Sequence, residues 1–358
     1  MIFFRGRLVA PFLALVLPLL TLYRPVASRG LSMLISHTRA LPLARSMANP
    51  AAKKPRQATE ANIEEPEPAV LATLRIKCPD SRGIVAGVAQ VLCGYNVNIL
   101  QSDQFTDRQT DMYFQRLRVD LSEMHAGLGN KAVLENGLAE LAKKYSMEWQ
   151  ISYDSQPKTI ALMVSKDSHC LYDILIRHKE GELPCNVAVV VSNHEVLKPV
   201  ADAFGVPFRY MPIPTKAEGG KRAQEIQVEA LLEEMKVDLI VLARYMQILT
   251  PEWCDKNWSR TLNIHHSFLP AFVGSKPYHQ AHSRGVKIIG ATAHFATTEL
   301  DAGPIVEQQV CTITHSDSVK DMIRKGRDLE RVVLARAVRW FIADAILVHG
   351  NKTVVFDV

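Results

Sequence analysis

Residues 261–304 read TLNIHHSFLPAFVGSKPYHQAHSRGVKIIGATAHFATTELDAGP. Residues 261–265 alternate apolar and polar side chains like the end of a buried strand. Successive strand side chains point to opposite faces, so Asn263 and His265 share a face. Residues 267–274, with Pro270 and Gly274, form a loop. Residues 287–295 are a second apolar, β-leaning run, and residues 297–303 are a polar loop that carries Asp301. An amide, an imidazole and a carboxylate therefore sit on two strand ends and their loops. In an open α/β sheet such ends border the ligand crevice.

The run Asn263-Ile264-His265, the Ser-Phe-Leu-Pro loop after it, a Gly shortly beyond, and Leu300-Asp301-Ala302-Gly303 resemble the formyltransferase domain of folate enzymes. The Asn, His and Asp of that family's motif fall on Asn263, His265 and Asp301, and the separation 301 − 263 = 38 fits the family pattern. The resemblance implies that these three are the catalytic residues.

The fold around the motif is legible from patterning. After a linker at 154–158, buried strands are expected at 159–165, 185–192, 208–211 and 238–243, separated by helices at 168–178, 193–203 and 218–235. In the last of these Ile226, Ala230 and Leu231 are expected to face inward. A closing helix is expected at 318–348. Near-continuous apolar strands alternating with helices argue for a mostly parallel sheet covered on both faces, a doubly wound, Rossmann-like domain spanning 158–358.

Residues 69–153 carry a different plan. Strand patterns at 69–77, 96–104, 112–121 and 147–153 enclose helix patterns at 84–93 and 131–144, with Asp80 and Ser81 as the expected cap of the first helix. The order βαββαβ is ferredoxin-like. It is similar to the ACT module, which implies an amino-acid effector and homo-oligomerisation. Pro79-Asp80-x-x-Gly83 before an apolar helix nominates Asp80 and Gly83 as regulatory ligand residues, together with Asn96. The alternative is that Asp80 caps and Gly83 turns.

Charge is uneven. Residues 1–59 contain nine Lys or Arg and no Asp or Glu, so the remainder holds 42 − 9 = 33 basic against 37 acidic residues. The basic balance belongs to the leader, and the body has no nucleic-acid footprint. Residues 1–60 read as a disordered organelle leader, mitochondrial with plastid as the alternative, and the mature form is expected to need no membrane. An apolar run at 8–23 also admits a secretory reading. The six Cys form no C-x-x-C pair. With neither H-x-x-x-H nor G-x-G-x-x-G present, no metal and no cofactor is expected.

Residues 243–251, ARYMQILTP, are similar to the segment that lines the pterin pocket in related enzymes, which implies a folate site at Met246, Ile248 and Leu249. The loop with Thr297, Glu299 and Leu300 is its expected second wall. Without the resemblance, Ile248 and Leu249 read as core residues. Where glycinamide ribonucleotide transferases carry a Gly-rich phosphate loop, this chain has Val164-Ser165-Lys166-Asp167-Ser168-His169, without glycine and with a carboxylate. His266 also departs from the transferase pattern. Together with the ACT-like module, these departures resemble the formyltetrahydrofolate deformylase family. The resemblance implies that 10-formyltetrahydrofolate is the substrate and water the nucleophile. Asp301 would be the proton shuttle, Asn263 and His265 the oxyanion donors, and His266 an outer positioning group. The alternatives are formyl transfer to glycinamide ribonucleotide or methionyl-tRNA, or a non-catalytic amino-acid sensor.

Overall fold

In the computed structural model, the described residues are 70–124, 131–271 and 276–357. The leader expected at 1–60 lies outside them. The order is β1 Leu71–Pro79, α1 Ile84–Gly94, β2 Asn98–Asp107, β3 Met112–Asp120, α2 Lys131–Tyr145 and β4 Glu148–Tyr153. Then come β5 Thr159–Val164, α3 His169–Lys179, β6 Asn186–Ser192, α4 Lys198–Ala203, β7 Phe208–Tyr210, α5 Gly220–Glu234 and β8 Leu239–Leu242. The chain continues with α6 Pro251–Lys256, β9 Thr261–His265, α7 Pro277–Arg284, β10 Ile288–Phe295 and β11 Ile305–Thr312. It closes with α8 Val319–Ile342, β12 Ile346–His349 and β13 Lys352–Val355.

The first six elements form the ferredoxin-like unit, an antiparallel sheet in the order β2-β3-β1-β4. Its apolar face, with Leu74, Ile76 and Leu117, packs on Val88 and Leu92 of α1 and Leu134 and Leu138 of α2. Strand alternation sends Arg75, Arg116 and Phe114 to the other face. There Arg116 Nη2 donates to Ala343 O at 3.0 Å, just past the end of α8, and Arg75 Nη1 donates to Ile346 O at 2.8 Å. Phe114 buries itself against Leu347 and Phe356. The cap expected from Asp80 and Ser81 is absent. Gly83 occupies the N-cap position at φ 93, and no side chain caps α1.

The second sheet runs β11-β10-β9-β8-β5-β6-β7. The pairs β5·β6, β5·β8, β6·β7 and β8·β9 are parallel, while β10 is antiparallel to both neighbours. Alternate residues of β5 serve the two faces. Ile160, Leu162 and Val164 join the core beneath α3, α4 and α8, whereas Ala161 and Met163 join that beneath α5 and α6. The chain grows outward from β5 in both directions, so the order reverses between β5 and β8. The crevice of a doubly wound sheet opens at that point, beyond the carboxyl ends of the strands.

Three expectations need correcting. On α5, Ile226 is 54% exposed, and the buried residues are Gln224, Glu225, Val228, Glu229 and Leu232. Two buried carboxylates misled the pattern. Glu225 accepts from Thr250 N at 3.0 Å, and Glu229 pairs with Arg222 at 2.6 Å and Lys256 at 3.1 Å. Partners on α5 itself and beyond it let acids face inward. Next, α4 begins only at Lys198. Finally, α8 stops at Ile342. Asp344 takes φ 51, and a β12–β13 hairpin follows, turning at Gly350 with φ 56. A helix cannot continue through a left-handed residue, and Gly350-Asn351 was an available hairpin signal.

Candidate active site

Asn263 and His265 stand on β9, with Asn263 directly opposite His294 of β10 in register. His294 Nδ1 lies 3.0 Å from Phe295 O and Nε2 lies 3.1 Å from Asn263 Nδ2. A carbonyl only accepts, so Nδ1 carries the proton and Nε2 accepts from the Asn263 amide. Burial holds the His294 imidazole below the usual histidine range, which favours this neutral tautomer. One Asn263 N–H is thereby fixed and the second remains to be aimed at a ligand.

Asp301 reaches the same place from the loop after β10. Its Oδ1 lies 3.3 Å from His265 Nδ1 and 3.9 Å from His294 Nε2. The loop is clamped. A Cβ on Gly303 would sit 1.9 Å from Phe295 O, so only glycine allows this approach to β10. Asp301 itself takes φ 56, a conformation an aspartate tolerates better than most residues. His265 is 5% exposed, and its Nε2 is buried without a hydrogen-bond partner among the described residues. A buried ring nitrogen left unused within the protein marks a place for a ligand atom.

These groups line a cavity of about 480 Å³ that also includes Arg244, Met246, Ile248, Leu249, His266, Thr297 and Leu300. That volume is in the range of small-molecule sites. Met246 is 54% exposed, Ile248 72% and Leu300 52%, so the first two are no part of the core and the three form an apolar mouth. Leu249 packs partly against the core. Glu299 is exposed and absent from the lining. Gly274 lies outside the described residues. Sequence reasoning missed His294, although an imidazole two residues after Thr292, within an otherwise apolar strand, was a signal for a buried polar face.

His266 contacts His265 and Tyr278, with ring centroids 5.2 and 5.8 Å away. Burial, followed by the Arg244 charge, pushes its imidazole down to about 4, against an ordinary 6.5. The folded value lies below the unfolded one, so acid protonates the unfolded chain first. Stability is therefore lost as pH falls from 6.5 through about 4. Melting temperature measured across that window is expected to fall less steeply for His266→Gln than for the parent chain. Equal slopes would contradict the neutral, half-buried imidazole.

Beside the cavity lies a buried ionic cluster. Glu330, 1% exposed, accepts from His169 Nε2 at 2.7 Å and Tyr278 Oη at 2.8 Å, with Arg244 Nε at 3.5 Å. Burial alone would raise the Glu330 carboxyl, but His169 and Arg244 bring it below its usual range. His169, Cys170 and Glu330 place ligand atoms within 4.8 Å of one another. Their chemistry fits a metal poorly. Burial pushes the Cys170 thiol well up, against thiolate formation, and the Glu330 oxygens already serve His169, Tyr278 and Arg244.

In the ferredoxin-like unit, Asp80 and Gly83 border a groove closed by Phe105 and Tyr113. Asn96 is elsewhere. It follows the far end of α1 at φ 57, donating Nδ2–H to Glu123 O at 2.7 Å. Within one chain an eleven-residue helix separates it from Gly83, so Asn96 does not border that groove. No helix among the described residues is long and apolar enough to cross a membrane.

A formyl transferase family model matches residues 158–338. A formyltetrahydrofolate deformylase of Synechocystis is 48% identical over 285 residues, covering 80% of this chain and 98% of that protein. One of Bacillus subtilis is 43% identical, covering 79% and 93%. Among solved structures, a Pseudomonas syringae formyltetrahydrofolate deformylase superposes with a TM-score of 0.77 at 42% identity, over 81% of this chain and 96% of that one. A glycinamide ribonucleotide transformylase 1 of Symbiobacterium toebii gives 0.54 at 30% identity, over 57% and 97%.

Proposed function

This chain belongs to the formyltetrahydrofolate deformylase family, and from that premise we propose how it hydrolyses 10-formyltetrahydrofolate to tetrahydrofolate and formate. The observation that carries the residue roles is the convergence of the Asn263 amide, the His265 imidazole and the Asp301 carboxylate in one cavity with an apolar mouth. The flat heterocycle enters between Met246, Ile248 and Leu300. The formyl group then lies against β9.

Water adds to the formyl carbon, and the carbonyl oxygen becomes an oxyanion. The free Asn263 N–H and the His265 Nε2–H of a protonated ring donate to it. Donors preorganised for a developing charge supply much of such a barrier reduction, about 3–4 kcal/mol for one of them. Asp301 accepts the proton from the attacking water and returns it to the leaving nitrogen as the C–N bond breaks. The Asp301 carboxyl, 3.3 Å from His265 Nδ1, orients the ring so that Nε2 faces the formyl oxygen. His294 keeps the Asn263 amide from rotating, and His266 remains a neutral outer group.

The reading against transfer rests on the crevice at the end of β5. Asp167 there accepts from Arg244 Nη2 at 3.1 Å and Arg327 Nη2 at 3.1 Å. A carboxylate already neutralising two guanidiniums leaves little for a phosphate to bind. Purified protein given 10-formyltetrahydrofolate and no acceptor is expected to release formate and tetrahydrofolate in equal amounts. Product formation only on addition of an amine acceptor would reassign the chain to transfer.

A further inference from the structure

Arg244 is conspicuous on three counts. It follows β8 at the point where strand order reverses, and it holds φ 66, a left-handed conformation that is strained for a non-glycine residue. Its guanidinium is tied on two sides, to Asp167 at 3.1 Å and to Glu330 at 3.5 Å. Its Nη1 is buried with no hydrogen-bond partner among the described residues. The strain persists because the surroundings over-determine it. Met246 N donates to Ser165 Oγ at 3.1 Å, which pins the turn to the end of β5, and both carboxylates are themselves held by further partners.

Arg244 lines the same cavity as Asn263, His265 and Asp301, and its guanidinium reaches from there toward Asp167 and Glu330. The fold also hosts transfer, since the Symbiobacterium toebii neighbour is named a glycinamide ribonucleotide transformylase. Transfer needs a second substrate whose nitrogen comes within roughly 3–3.5 Å of the formyl carbon. Water needs only the space of one molecule. Besides the phosphate position, a second feature that separates the two outcomes is therefore the room beside the formyl group. A buried, doubly anchored arginine at the switch point removes room on that side.

We infer that Arg244, clamped by Asp167 and Glu330, is a specificity-determining residue that closes the crevice to amine acceptors and so reserves the formyl carbon for water. The inference rests on the deformylase reading. With Arg244 removed, a small primary amine can add to the formyl carbon. The C–N bond to the amine forms, the bond to the folate nitrogen breaks, and the proton lost by the amine goes to that nitrogen through Asp301. The products are a formamide and tetrahydrofolate.

The test is product partitioning. Arg244→Gly suits φ 66 and deletes the side chain. Parent and variant are given 10-formyltetrahydrofolate with glycinamide at fixed concentration, and formylglycinamide and formate are quantified after subtracting the uncatalysed reaction. The ratio of formamide to formate is expected to rise about tenfold or more in the variant, the scale of pocket-based discrimination. Because both products come from the same active molecules, partial unfolding does not move this ratio, so a purely structural role would leave it unchanged. An unchanged ratio overturns the inference, as does a folded variant that makes neither product. If Arg244→Gly does not fold, Asp167→Ala frees one anchor and is expected to move the ratio the same way; an unchanged ratio there is equally fatal. A parent chain that releases no formate would instead sink the deformylase reading.

Discussion

Asp301→Asn is expected to lower kcat by about 10² to 10⁴, the contribution of a positioned proton-transfer group, while folate binding changes by no more than a few-fold. The substitution is well matched to its place. Asn tolerates the left-handed φ of 56 at least as well as Asp and keeps the same shape beside His265. What it loses is the ability to take a proton from water and the charge that pairs with the imidazole. Binding is measured by titration with a folate that carries no formyl group, and turnover by formate release. Turnover within about tenfold of the parent would remove Asp301 from the proton path.

Glu330→Ala is expected to cost about 3–5 kcal/mol of stability, because removing one partner of a buried ionic cluster leaves the others uncompensated. Three groups lose their common acceptor: His169, Tyr278 and Arg244. The site is also tightly packed, since a Cβ on Gly326, one helical turn earlier, would lie 1.9 Å from Tyr278 Oη. Neighbours this close leave little room for the cluster to rearrange. The urea midpoint should fall sharply with an unchanged m-value. A loss below about 1 kcal/mol would mean that Glu330 only occupies space, and that Arg244 is held by Asp167 alone.

How much of this was written in the primary structure varies by element. The parallel strands were plain, because burial on both faces makes β5, β6 and β8 near-continuous apolar runs. The candidate trio Asn263, His265 and Asp301 was nominated early because its members stand on short segments whose period of two or loop chemistry is local. What escaped was set by distant partners. The inward face of α5 could not be read from apolar spacing when Glu225 and Glu229 are buried against Thr250, Arg222 and Lys256. The role of His294 depends on the β9–β10 register, which places it opposite Asn263. Arg244 and Glu330 lie 86 residues apart in sequence, 330 − 244, and meet only because β8 and α8 share the core on one face of the sheet. β11 was missed because its exposed positions break the apolar run.

The central claim is that solvent is the nucleophile at a carbon held by Asn263, His265 and Asp301. A single turnover in ¹⁸O-enriched water, without any acceptor, tests it most directly. The prediction is formate carrying one solvent-derived oxygen, with the signal lost in Asp301→Asn. Formate without the label, or no formate until an amine is added, would contradict it.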